Sequence, residues 1–167
     1  RLDALINNAG FGLPGAVEDL PRAGLRAQFE TNVLGGQELI RLLLPIFRAQ
    51  NRGRIVQMSS MLGYVALAYR GAYCASKYAI EGLTDALRLE LRGTNIHVAI
   101  IEPGPIKAKF RDNAYAAFKT YIDKDCSAHR EQYAAMIGRL EGERGPLPFT
   151  LPPEAVLKRV VHALESK

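Results

Sequence analysis

The sequence predicts an α/β protein built on a parallel sheet. Short apolar runs alternate with long amphipathic segments in the order strand, helix, strand, helix, strand, the pattern of right-handed parallel crossovers. The last run, Val98-Ala99-Ile100-Ile101, is apolar without interruption, as a strand covered on both faces requires. The 167 residues form one domain's worth of chain, long enough to bury a core. Apolar residues at 48% and charged residues at 23% give the balance of a globular protein.

Leu2 to Ile6 reads as a buried strand closed by Asn7, Asn8 and Gly10. Asp19 as N-cap, with Pro21 in the first turn, opens a helix through Leu25, Phe29 and Val33 to Leu44. That helix stops before Pro45 or kinks there. Arg52-Gly53 turns the chain into a second strand, Arg54 to Met58. Tyr73 to Arg92 follows as a helix, with Ala79, Leu83, Ala86, Leu87 and Leu91 as its apolar stripe. Gly93 is its C-terminal stop. Ile96 to Ile101 is the third strand, ended by Pro103-Gly104. Residues 105–150 lose the periodic pattern and scatter Phe110, Tyr115, Phe118, Tyr121, Tyr133 and Phe149 among charges and turn formers. They read either as a substrate-covering lid beyond a strand's C-terminal end or as a surface helical excursion packed by its own aromatics. Pro152-Pro153-Glu154 starts a final helix through Val156, Val160, Val161 and Leu164.

Several function classes are set aside by composition. No apolar run approaches the roughly 18 residues of a membrane span, and no signal-peptide pattern opens the chain. Cys74 and Cys126 have neither disulfide nor metal spacing, so both are expected as reduced thiols in the cytoplasm, with no metal site. The net charge of +5 is dispersed, its densest groups being Lys107, Lys109 and Arg111, then Arg139 and Arg144. Without a recognised motif this is a solvated surface and not a nucleic-acid site. Gly10-Phe11-Gly12-Leu13-Pro14-Gly15 fits a dinucleotide fingerprint letter for letter. Pro14 interrupts that turn, however, and the next helix begins only near Asp19 to Pro21. The glycines therefore read as a loop at a strand's carboxyl end, not as a pyrophosphate cradle.

Chemistry concentrates in Tyr73-Cys74-Ala75-Ser76-Lys77. A lysine four residues after a tyrosine places an ammonium beside a phenol on one helical face. The ammonium favours the phenolate, so a group with a reference pKa of about 10 could serve as general acid or base near neutrality. Ser60 adds a hydroxyl able to bond a substrate oxygen. Taken singly, each residue has a plain alternative. Tyr73 and Lys77 could be a surface pair, Ser60 a strand-end turn residue, and Asn32 a helix residue bonding backbone to brace the first strand.

Together, Asn7-Asn8-Ala9-Gly10, Thr31-Asn32-Val33, Ser59-Ser60, Tyr73-Cys74-Ala75-Ser76-Lys77 and Pro103-Gly104-Pro105-Ile106 resemble the short-chain dehydrogenase/reductase family. The similarity covers residues 2–106 well. Beyond them it is weaker and resembles the 17β-hydroxysteroid dehydrogenase-like and aldehyde reductase-like subgroup. The resemblance implies a Rossmann-like doubly wound parallel sheet, of which this chain holds the later part. Its strands would be the fourth, fifth and sixth of a seven-stranded sheet, in a partial domain with core 1–106, substrate-covering region 107–150 and C-terminal helix 151–167. It further implies a catalytic tetrad of Asn32, Ser60, Tyr73 and Lys77. Tyr73 would exchange a proton with the carbonyl oxygen, Lys77 would lower the tyrosine's pKa and bond the nicotinamide ribose, and Asn32 would hold a relay water. Asn8, Ala9 and Gly10 would line the adenosine side of the cofactor; Pro103, Gly104 and Ile106 would flank its nicotinamide.

The implied activity is NAD(P)-dependent interconversion of an apolar alcohol with its ketone or aldehyde, with NADP(H) preferred over NAD(H). Ala108 stands where the family commonly has a threonine that bonds the carboxamide. The family's glycine-rich N-terminal βα units do not precede Arg1, so the chain reads as a fragment. The alternative expectation is accordingly a catalytically silent fragment or scaffold. A third reading is an epimerase or dehydratase that also uses Tyr-x-x-x-Lys. Helices 21–44 and 73–92 are expected to pair with their copies in a homodimer or homotetramer.

Overall fold

The computed structural model describes residues 1–141 and 149–166. Arg144 and Lys167, and 142–148 of the expected substrate-covering region, lie outside the described residues. Three parallel strands, β1 (Ala4–Asn7), β2 (Gly53–Met58) and β3 (Ile96–Ile101), lie in the order β1-β2-β3. Their register sets Leu5 opposite Ile55 and Ile55 opposite Val98. The carboxyl ends of all three strands consequently fall at one edge of the sheet. Six α-helices complete the described chain: α1 (Arg22–Phe29), α2 (Gly35–Gln50), α3 (Gly71–Glu90), α4 (Phe110–Tyr121), α5 (Arg130–Leu140) and α6 (Pro153–Glu165).

Two apolar clusters hold these elements together. Leu5, Ile40, Phe47, Ile55, Leu87, Leu91 and Ile96 bind the sheet to α2 and α3. The second gathers Leu13, Ala16, Ala72, Ala117, Phe118, Tyr133, Met136 and Leu140. It joins the segment after β1 to α4 and α5.

The first long helix departs from the sequence expectation. It begins after Pro21, not at Asp19, and passes through one π-type turn, Glu30–Leu34, before α2. Asp19 is committed elsewhere: its carboxylate accepts from Ser127 Oγ at 2.5 Å and from the Tyr133 hydroxyl. These bonds favour its charged form and hold its pKa below the usual value. α2 continues through Pro45 to Gln50. Burial of Ile40 and Phe47 on either side of Pro45 outweighs the one missing backbone bond.

The expected stripe of α3 is also corrected. Leu83 is 42% exposed and Ala86 faces out, whereas Ser76, Lys77, Ile80, Glu81, Thr84 and Leu87 face in. Leu87 and Leu91 of the stripe are buried as expected, and polar groups share the inner face because each meets a partner there, so apolarity alone outlines only part of the buried side. Gly93 does lie in the left-handed region, at φ +77°, just beyond the helix. Residues 105–141 are more regular than their composition suggests. α4 and α5 bury Ala114, Ala117 and Phe118, and Tyr133, Met136 and Leu140, at helical spacing.

Candidate active site

Loops leaving the carboxyl ends of β1, β2 and β3 carry the motif residues, the place where ligands bind in open α/β sheets. Ser60 begins a short 3₁₀ turn after β2; its Oγ accepts from Leu62 N at 3.1 Å and lies 3.5 Å from the Pro103 carbonyl. Met61 N donates to the same Pro103 oxygen at 3.1 Å, which ties the loops after β2 and β3 together. Tyr73 and Lys77 occupy the first turns of α3. Lys77 Nζ lies 5.5 Å from the centre of the Tyr73 ring and donates to the Met58 carbonyl at 2.8 Å. Ser60 is near enough to the Tyr73 phenol to favour its ionised form.

Electrostatics refine the sequence expectation. Burial pushes the Tyr73 phenol up, against the lowering effect of Ser60. The phenol is therefore protonated near neutrality. Burial also drives Lys77 down to about 8, opposed by the negative charge of Glu81. Lys77 is not among the groups that shift the Tyr73 phenol, whose net displacement is upward.

Asn32 sits in the π-type turn and spends its amide on structure. Its Oδ1 accepts from Phe11 N at 3.0 Å, and its Nδ2 donates to Phe11 O at 2.9 Å and Ser76 Oγ at 3.0 Å. It thus clamps the loop after β1 to α3, the bracing role open to it from sequence. Gln28, one turn earlier, completes the clamp by bonding Leu13 N at 2.7 Å and Phe11 O at 2.6 Å.

Asn8, Ala9 and Gly10 are exposed at the end of β1. Asn8, Ala9 and Asn32 line a cleft of about 320 Å³. Pro103, Gly104 and Ile106 line a separate one of about 960 Å³ between β3 and α6, and Tyr73 borders neither. The structure thus joins Asn32, Ser60, Tyr73 and Lys77 through bonded loops but divides the expected cofactor residues between two openings. The glycine run is packed, not cradling. A Cβ on Gly12 would lie 2.8 Å from Phe110 Cζ, and one on Gly15 would lie 2.9 Å from Ile122 Cδ1.

Other residues around the site are not visible in the motifs. Phe110 packs edge-on against Tyr73, ring centres 5.3 Å apart. Glu81 is buried one turn after Lys77; its Oε2 accepts from the Tyr64 hydroxyl at 2.9 Å, while its Oε1 and the Ser59 Oγ lack a partner among the described residues. Gln28–Asn32 and Lys77–Glu81 are polar pairs at i, i+4 spacing, which sets both members of each pair on one helical face.

The sequence profile of the short chain dehydrogenases matches residues 1–118. The chain belongs to this family. It is 41% identical to the oxidoreductase YbbO of Escherichia coli K12 over 166 residues, 99% of this chain and 55% of that protein. The chain thus spans about half the length of that relative. A short-chain dehydrogenase from Streptomyces avermitilis superposes with a TM-score of 0.77 at 29% identity, covering all of this chain and 58% of that one. The closed form of serine dehydrogenase complexed with NADP⁺ matches with a TM-score of 0.76 at 24% identity, over 95% of this chain and 57% of the other. That likeness concerns the fold. Among the described residues, no helix is long and apolar enough to cross a membrane.

Proposed function

We propose that the whole protein is an NAD(P)-dependent oxidoreductase of the 17β-hydroxysteroid dehydrogenase-like or aldehyde reductase-like subgroup. It interconverts an apolar alcohol with its ketone or aldehyde, in the cytoplasm. The observation that carries this reading is the half-buried Tyr73 phenol, with Ser60 beside it lowering its pKa and the Lys77 ammonium 5.5 Å from its ring centre.

The residues present fit a nicotinamide dinucleotide. Lys77 is only 5% exposed, and the hydrogen bond it makes among the described residues is to Met58 O. An ammonium has three donors, so Lys77 retains capacity for hydroxyl oxygens of a bound ribose. Tyr73 and Lys77 would hold that ribose, Asn8, Ala9 and Gly10 the adenosine side, and Pro103, Gly104 and Ile106 the nicotinamide. The bound dinucleotide supplies or accepts the hydride. NADP(H) is the preferred form, as the subgroup resemblance implies.

Tyr73, kept protonated by burial, donates its proton to the carbonyl oxygen during reduction, and Ser60 donates a hydrogen bond to the same oxygen. Lys77 stabilises the phenolate left behind. Asn32 acts by fixing the loop after β1 and holding a relay water. The described residues from 107 to 141 cover the substrate, with Phe110 already against the phenol ring.

Replacing Tyr73 with Phe in the whole protein should lower the rate of NADPH-dependent aldehyde reduction by about 10²–10⁴-fold. Steady-state rates near wild type would dismiss Tyr73 as the proton donor. The protein is further proposed to pair through α2 and α3 as a homodimer or homotetramer.

A further inference from the structure

The inner face of α3 holds a buried carboxylate to which hydride transfer assigns no task. Tyr73, Lys77 and Glu81 are spaced four apart and so share one face of the helix. Glu81 is only 6% exposed, yet among the described residues no lysine, arginine or histidine forms an ion pair with it. Lys77, one turn back, spends its hydrogen bond on the Met58 carbonyl instead. Burying a carboxylate without such a partner costs stability that an apolar side chain of the same size would not.

What this carboxylate holds is the turn that carries Ser60. Its Oε2 accepts from the Tyr64 hydroxyl at 2.9 Å. Its Oε1 faces Gly63, where a Cβ would lie 2.8 Å from that oxygen and 2.8 Å from Ser59 Oγ. The space that Gly63 leaves open is thus where the carboxylate sits against the turn. Tyr64 is gripped from α3 a second time, since the Tyr78 hydroxyl donates to its carbonyl at 2.6 Å. The Tyr64 hydroxyl also lies 3.3 Å from Glu102 Oε1, just beyond β3. From Ser60 to Tyr64 the chain is closed on itself. Gly63 N donates to Ser60 O at 2.8 Å, Tyr64 N to Met61 O at 3.2 Å, and Leu62 N to Ser60 Oγ at 3.1 Å. A shift at Tyr64 would therefore reach Ser60 Oγ through one short, fully bonded turn.

We propose that Glu81 is a positioning residue: through Tyr64 and the Met61–Gly63 turn it fixes where the Ser60 hydroxyl stands for the substrate oxygen. This rests on the hydride-transfer reading above. Glu81 itself touches no reacting atom. A donor held in place needs no reorganisation as charge develops on the substrate oxygen, and a misplacement of about 1 Å is enough to forfeit much of that advantage.

The test uses the whole protein with NADPH and a medium-chain aldehyde. Glu81→Leu keeps the bulk but removes the acceptor, and should lower kcat about tenfold, short of the roughly 10²–10³-fold loss of a donor removed outright. KM for NADPH should not change. Glu81→Gln keeps an oxygen for Tyr64 and should recover most of the loss. Tyr64→Phe should reproduce it; Tyr64 is exposed, so this variant serves if Glu81→Leu fails to fold. In a Ser60→Ala background neither Glu81→Leu nor Tyr64→Phe should lower kcat further, because residues acting through one group are not additive. Full additivity with Ser60→Ala would overturn the proposal and leave hydride transfer standing. So would a wild-type kcat in both Glu81→Leu and Tyr64→Phe. If Ser60→Ala itself reduces the aldehyde at the wild-type rate, the role of Ser60 in hydride transfer falls and takes this proposal with it.

Discussion

Lys77 shows how far burial can bend a single ionisable group. Its folded pKa of about 8 lies below its ordinary value of 10.5, so the unfolded chain binds more protons between those limits. Stability therefore rises as pH increases from about 8 towards 10, by up to about 3 kcal/mol over the whole window. The opposite slope sets in above pH 10, where Tyr64 and Tyr133, both pushed up to about 12, must stay protonated in the folded state. Urea unfolding at pH 8 and pH 10 should show the wild type gaining stability relative to Lys77→Met. Parallel pH curves would refute the lysine's role. Tyr73 and Lys77 were legible as a pair from their spacing. The direction of the Tyr73 shift was not, because burial arises only when Phe110 and the loops after β1 and β2 close around the ring.

At the scale of elements, three strands and the two long helical segments were evident from apolar runs and turn residues, with ends shifted by a few positions. Less evident was where each helix faces. α3 turns Ser76, Lys77, Glu81 and Thr84 inward beside Ile80 and Leu87, so its buried face is more polar than the expected stripe and leaves Leu83 outside. The π-type turn at Glu30–Leu34 was likewise invisible, since it arises where Asn32 is pulled towards Phe11 and Ser76. Gly53, read as a turn residue, has a stricter task at the start of β2. A Cβ there would lie 2.4 Å from Cγ of the fully buried Phe47, where the aromatic ring cannot retreat. Gly53→Ala should cost about 1–3 kcal/mol, measured by chemical denaturation. An unchanged midpoint would mean that α2 shifts away freely.

Across the whole molecule, the carboxyl ends of three parallel strands bring residues separated by up to 100 positions of sequence into one bonded neighbourhood, and α4 and α5 close over it. The outer faces of α2 and α3 remain apolar: Leu39, Leu42 and Ile46 on one, Leu83 and Leu89 on the other, are all exposed. Contiguous surface of this kind marks an interaction face. Light scattering on the whole protein should give at least twice the monomer mass, and Leu42→Glu with Ile46→Glu should return it to the monomer. A monomeric wild type would end the pairing proposal.

By itself the sequence determined the parallel α/β class, the order of the strands and the identity of the motif residues. Those follow from local periodicity, turn chemistry and ordered motifs, which are written along the chain. Tertiary structure decided which helix faces are buried, that Asn32 is a clamp, and that Phe110–Tyr121 and Arg130–Leu140 fold as helices over a core. These depend on desolvation and on contacts between distant segments, neither of which exists until the chain has folded.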